Sequence, residues 1–195
     1  GLGRVLGSNV DPLNPYFVDM SKAVPYDPAK SKKLLADAGY PNGFDAVLRV
    51  SPQYYYTVRT GEVLVSQLGK VGVKVKIEQI EWGQWLSQVY REANYDLTII
   101  GHAEPWDIVN YANPNYYFRW DNKEFQALYK ESEQTVDDKK RREQFARLQK
   151  KMADEAPVVW LYMHPRLVVT KKGVTGIWKD LPISALDLSE VAWPK

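Results

Sequence analysis

The chain of 195 residues contains no cysteine, which removes disulfides, thiolate metal sites and a cysteine nucleophile. That lack fixes no compartment, because exported and cytosolic proteins both occur without thiols. Histidine is nearly missing too: His102 and His164 are the only two, and no HExxH-type spacing exists, which disfavours a metal centre. No run of 18 apolar residues occurs, so no segment reads as a membrane-spanning helix. Charge of one sign is also lacking, with 26 Lys and Arg against 24 Asp and Glu. So balanced a chain is not built around a phosphate-binding surface, and no nucleic-acid partner is expected. The basic run Lys139-Lys140-Arg141-Arg142 lies between Asp137-Asp138 and Glu143 and reads as a solvated helix face.

What is present is an ordinary globular balance, 45% apolar and 26% charged, with an unusual supply of rings: 7 Trp, 13 Tyr and 5 Phe. Rings of this size belong in a core or on a recognition surface. Residues 1–26 show no helical or strand period and carry the turn signals Asp11-Pro12, Asn14-Pro15 and Val24-Pro25. An aperiodic stretch this long rarely opens an independent domain, and no initiator Met precedes Gly1. The expectation is the C-terminal part of a longer protein.

From residue 27 the periods become regular. Asp27-Pro28 pairs an N-cap with a first-turn proline and opens a helix that Gly39 ends. A strand is expected over 46–50, then an aromatic loop over 51–57. Leu64, Leu68 and Val71 predict a helix near 60–71, stopped by Gly72. Val73, Val75 and Ile77 alternate with Lys74, Lys76 and Glu78, a strand with one face covered. Trp82, Trp85, Leu86 and Val89 predict a helix over 82–92, and Leu97 to Ile100 a short buried strand. The order from 45 to 101 is β-α-β-α-β, which favours parallel pairing. Beyond 107, Asp121 with Glu124 and Thr135 with Asp138 resemble capping boxes. The second opens a helix to about Glu155 with Phe145, Leu148 and Met152 on one face. Residues 157–162 and 167–170 read as strands.

The segment Leu34-Leu35-Ala36-Asp37-Ala38-Gly39-Tyr40-Pro41-Asn42-Gly43-Phe44 resembles the LL-x-x-AGYP-x-GF motif of family 5 extracytoplasmic solute-binding proteins, the peptide-binding components of ABC importers. Tyr26-Asp27-Pro28, Gln67-Leu68, the run Val71 to Val75, Glu81-Trp82, Tyr95-Asp96 and the stretch Arg142 to Pro157 follow the family pattern in order. The resemblance covers about residues 25–175. It implies an α/β fold, a periplasmic-binding-protein type II-like lobe with a parallel β-α-β-α-β unit followed by helices and C-terminal strands. It divides the chain into an irregular segment 1–26, a ligand-binding lobe 27–160 and a return segment 161–195 toward a missing N-terminal lobe. It further implies no catalytic residues, no cofactor, a periplasmic or extracytoplasmic location and an ABC permease as membrane partner.

In open parallel sheets ligands bind beyond the carboxyl ends of the strands. That rule selects Ser51 to Arg59, Glu81-Trp82 and Gly101 to Asp107. Tyr54, Tyr55 and Tyr56 can supply ring faces and hydroxyls. Arg59 stands where some family members have an Arg that meets a ligand carboxylate, a pairing the guanidinium fork suits; an exposed helix-start Arg is the equal alternative. Trp82 follows a strand end and is a cleft candidate, although its helical spacing with Trp85 favours a core residue. After the third strand the family has Gly-Trp and then an Asp that holds a peptide's amino terminus. Here His102 replaces that Trp, the acid is Glu104 or Asp107, and Trp106 stands between them.

Three functions follow from these residues. The first is a binding module that captures a peptide or similar small solute by hinge closure. The second is a glycoside hydrolase with Glu104 and Asp107 as paired carboxylates. The third is an interaction fragment without a ligand of its own.

Overall fold

The computed structural model describes residues 3–104, 106–164, 167–179 and 187–193. The chain forms two compact units, each discontinuous in sequence. A sheet unit takes Ala23–Gly101 and Tyr111–Ala127; a helical unit takes Gly1–Lys22, His102–Asn110 and Leu128–Lys195.

In the sheet unit, β1 (Asp45–Val50), β2 (Lys74–Gln79) and β3 (Leu97–Thr98) form one sheet in the order β2-β1-β3. Both pairings are parallel, with Leu48 opposite Ile77 on one side and Leu97 on the other. Helix α1 (Pro28–Asp37) starts as expected: the Asp27 carboxylate accepts from the Lys30 amide at 2.9 Å, and Pro28 occupies the first turn. The family motif after it is a folding device. Gly43 has φ of +74°, and a Cβ there would lie 2.0 Å from the Gly72 carbonyl oxygen, so the two loops meet at a distance only glycine permits.

Helix α2 (Tyr55–Gly69) begins earlier than 60 and absorbs Tyr55 and Tyr56, which the sequence placed in a loop. The physical reason is Thr57. Its buried hydroxyl donates to the carbonyls of Ser51 and Tyr54, which turns the chain at once from strand into helix. α2 lies close on the sheet at Gly61, where a Cβ would be 3.0 Å from Leu48 Cδ2. Ala46, Leu48 and Val50 alternate inward beneath it.

The helix expected over 82–92 is a three-residue turn, α3 (Trp82–Gln84), followed by a π-helix (Trp85–Arg91). A π-turn brings residues i and i+5 onto one face. Trp85 and Tyr90 occupy those positions and stack with centroids 6.3 Å apart. Ring size therefore overrides the 3.6 period here. Trp85 and Val89 are buried with Ile80 and Tyr117, and Tyr116 and Phe118 pack against this cluster. Tyr95 donates to the Tyr117 carbonyl, and Asp96 accepts from the Val47 amide, so the Tyr-Asp pair of the family pattern closes the sheet.

Helix α4 (Ile108–Tyr111) is a single turn. In α5 (Lys123–Gln134) the cap is Asn122, whose side chain accepts from the Phe125 amide, rather than Asp121. In α6 (Asp138–Glu155) the cap is Asp137, which accepts from the Lys140 amide at 2.7 Å, rather than Thr135. A carboxylate or amide one position before the first helical residue reaches the amide of the third helical residue, Phe125 or Lys140, and wins in both cases. Phe145, Leu148 and Met152 face inward as expected.

The helical unit is held by α6 and by one amide. Gln149 is fully buried; its Nε2 donates to the Tyr16 carbonyl at 2.7 Å, and its Oε1 accepts from Ser8 Oγ and the Val18 amide. The aperiodic N-terminal segment is thus tied to the helix by hydrogen bonds. The strands read over 157–162 and 167–170 do not form. Among the described residues this region shows only the isolated bridges Arg4↔Met163 and Thr175↔Ala192. β-branched residues make a strand only where a partner strand completes the ladder, and Val159 and Val169 stand exposed. Trp178 and Trp193 are exposed.

Candidate functional site

The carboxyl ends of the three strands gather rings within the sheet unit. Tyr54 ends the turn after β1 and meets Trp82 edge-to-face, centroids 5.1 Å apart. Tyr56 lies 5.9 Å from Tyr54, and its hydroxyl would sit 2.9 Å from a Cβ at Gly101, three residues beyond β3. Trp82 follows β2 and stacks on Trp85 at 4.9 Å with planes 10° apart. Tyr54, Tyr56 and Trp82 are half-buried, so each keeps ring surface for a ligand. Tyr55 is exposed in the first turn of α2.

Charge at this end of the sheet unit is already engaged. Arg59 pairs with Glu62 on its own helix at 3.0 Å, with both side chains largely in solvent. The Glu81 side chain caps α3, and the Gln84 side chain accepts from the Glu81 amide at 3.2 Å in return. Ser51 is buried at the end of β1.

The helical unit holds the other four candidates. Asp107 is buried, and its Oδ1 accepts from Asn110 Nδ2 and meets His102 Nδ1, both at 2.8 Å. Glu104 is exposed, 4.0 Å from the same imidazole nitrogen. Burial disfavours the charged His102, but the hydrogen bond and charge of Asp107, with Glu104 adding, outweigh it and raise the pKa above the usual value. The pair is therefore an imidazolium–carboxylate contact over a wider pH range than a free histidine allows.

Donor atoms of His102, Glu104 and Asp107 lie within 4.8 Å of one another, the spacing of a cation site. Nδ1 and Oδ1 are spent on each other, so a metal would have to displace that proton first. Trp106 faces Phe145 at 5.1 Å and Tyr16 at 5.9 Å, with the Arg141 guanidinium 5.8 Å from its ring centroid. It hydrogen-bonds Tyr129, whose hydroxyl is raised in pKa chiefly by burial.

Sequence reading missed Asn110 as the partner of Asp107. The signal was Asp and Asn three apart across a helix start, where side chain and amide both return to the first residue: the Asn110 amide also donates to the Asp107 carbonyl at 2.9 Å. It also gave no role to Thr98, whose hydroxyl accepts from Trp85 Nε1 at 2.9 Å. Tyr111 and Tyr117 are buried in the core.

Comparison with known proteins bears on the family and the fold. The family described as Bacterial extracellular solute-binding proteins, family 5 Middle, matches residues 1–126. Di/tripeptide-binding protein 1 of Pseudomonas aeruginosa is 27% identical over 172 residues, 81% of this chain and 32% of that protein. Heme-binding protein A of Haemophilus influenzae is 28% identical over 171 residues, 80% of this chain and 31% of its own length. The dipeptide-binding protein of Pseudoalteromonas sp. SM9913, solved in complex with Met-Leu, superposes with a TM-score of 0.77 at 25% identity, over 98% of this chain and 40% of that one. The chain spans about a third of the length of the curated relatives it matches. Its parallel unit is that of a type II periplasmic-binding-protein lobe. With well over half of its residues matched in order, and the motifs of that match forming the sheet, its loops and its helix caps, the chain belongs to the family 5 bacterial extracellular solute-binding proteins.

Proposed function

We propose that this chain is the ligand-binding part of the substrate-binding component of an ABC importer. It acts within a protein of its relatives' length, together with a second lobe, and captures a peptide or similar small solute outside the cytoplasmic membrane for a permease. The observation that carries the reading is the group Tyr54, Tyr56 and Trp82 at the carboxyl edge of a family-matched parallel sheet. The relatives' names support it, because the compared proteins are named for binding dipeptides, tripeptides or heme. No helix among the described residues is long and apolar enough to cross a membrane.

In this reading the rings of the sheet unit take a ligand's apolar surface; in the helical unit, taken by itself, the exposed Glu104 is the acid offered to a cationic group. Asp107 holds His102 and Asn110 in place and tunes the loop rather than touching the ligand. Arg59 reaches a ligand carboxylate only by leaving Glu62, an exposed pair worth little. Native mass spectrometry of the full-length protein purified from its host, searched for a retained solute, tests the function. Titration calorimetry then tests the roles. Glu104→Gln should weaken a cationic ligand by about 1–3 kcal/mol, the cost of losing a charge-assisted hydrogen bond, and Asp107→Asn should lower stability more than affinity. Equal dissociation constants for Glu104→Gln and the parent would remove the acidic anchor and favour a neutral ligand.

A further inference from the structure

Trp85 does not reach the surface, yet it sits behind the ring that the proposed ligand would meet. It is 3% exposed, and its only polar atom, Nε1, donates to Thr98 Oγ1 at 2.9 Å. The Thr98 hydroxyl in turn donates to the Arg49 carbonyl at 2.8 Å. A two-bond relay therefore runs from the backbone of β1, across β3, into the first residue of the π-helix. β3 contributes only two residues to the ladder, so this hydroxyl is a large part of what fixes that end of the sheet to the indole. From Trp85 the constraint continues by ring contact. Trp82 lies parallel to it at 4.9 Å, and Tyr54 meets Trp82 edge-on at 79°. On its other sides Trp85 is hemmed by Tyr90 and by Tyr117, whose ring is 5.9 Å away and tilted by 65°.

Among the described residues Trp82 has ring contacts but no comparable hydrogen bond. It opens a helix of three residues, held by the Glu81 and Gln84 capping box. An indole at such a position has two soft side-chain torsions, and a recognition ring costs ordering entropy unless something else fixes it. A parallel partner locked at its Nε1 fixes the plane. We infer that Trp85 is the positioning residue of the aromatic wall: Thr98 sets the plane of Trp85, and Trp85 sets the plane of Trp82. The preference for a ligand's apolar side chain is then governed by two residues the ligand never touches.

This rests on Trp82 being a ligand wall, so the experiment separates the two claims. The full-length protein is titrated with two probes, the dipeptides Met-Leu and Gly-Gly, and the exciton-coupled circular dichroism of the stacked indoles is recorded in parallel. Thr98→Val keeps the shape and removes the hydroxyl. It should weaken Met-Leu about three- to tenfold, the fold-change for one net hydrogen bond, leave Gly-Gly unchanged, and shrink the indole couplet. Thr98→Ser should restore both. Trp82→Ala should abolish the couplet and the difference between the two probes. If Thr98→Val lowers only the melting temperature, with couplet and affinity ratio intact, Trp85 is a packing residue and the inference fails. If the parent protein binds neither peptide, the functional reading fails while the couplet still decides the positioning role: its loss in Thr98→Val supports it, its persistence overturns it.

Discussion

The two units of the chain solve the same problem by different means. The sheet unit buries a regular pattern: alternate residues of β1 under α2, and rings of the π-helix on the opposite face. The helical unit has one long helix and a length of chain without regular structure, and it relies on side-chain hydrogen bonds such as those of Gln149. Loss of one methyl-bearing side chain should therefore hurt the first most, and loss of one polar group the second. The difference teaches that an aperiodic sequence can be ordered when a buried amide supplies both a donor and an acceptor for its backbone.

The largest expected effect is in the sheet unit. Leu48→Ala removes a side chain that is 1% exposed beneath Gly61 and Ile77, and it should lower stability by about 2–5 kcal/mol in urea denaturation. A cost under about 1 kcal/mol would mean the α2–sheet contact collapses to fill the space. Next comes the helical unit. Gln149→Leu keeps the volume but takes the acceptor from the Val18 amide and the Ser8 hydroxyl and the side-chain donor from the Tyr16 carbonyl, at about 1–3 kcal/mol. Hydrogen exchange over residues 8–18 should quicken in that variant and stay unchanged in Leu48→Ala. Equal quickening in both would erase the contrast between the units.

A smaller effect concerns pH. The folded-state pKa of His102 is raised, so its charged form contributes stability that is complete below about the ordinary value of 6.5. That contribution should fade as pH rises through the raised value. Nuclear magnetic resonance of the imidazole should show the higher pKa in the parent and a lower one in Asp107→Asn. A pKa unmoved by that substitution would show that the contact does not control the charge. The smallest effect belongs to Val169, which is 95% exposed. Val169→Lys should change stability by no more than about 0.5 kcal/mol. A larger loss in the full-length protein alone would reveal that another segment covers this stretch there.

Much of the sheet unit is legible in the residues themselves. The alternation of Val73, Val75 and Ile77 with lysines, and the Asp27-Pro28 start, follow from local geometry, and local geometry is what a sequence pattern encodes. The candidate site was legible to the same extent: the rule of strand ends selects Tyr54, Tyr56 and Trp82, because parallel strands leave their carboxyl ends on one side. The sequence by itself therefore determined the β-α-β-α-β order, the parallel pairing, the family and the aromatic edge. Tertiary structure alone decided the rest. The π-helix follows from rings that must stack at i and i+5, which no 3.6-residue period can announce. The N-terminal segment is set by an amide more than a hundred residues away, and Asp107 by an imidazole and an amide it meets only in the folded loop. The valines of 167–170 carry β propensity, but propensity becomes a strand only when another backbone supplies the missing half of each hydrogen bond, and among the described residues none does.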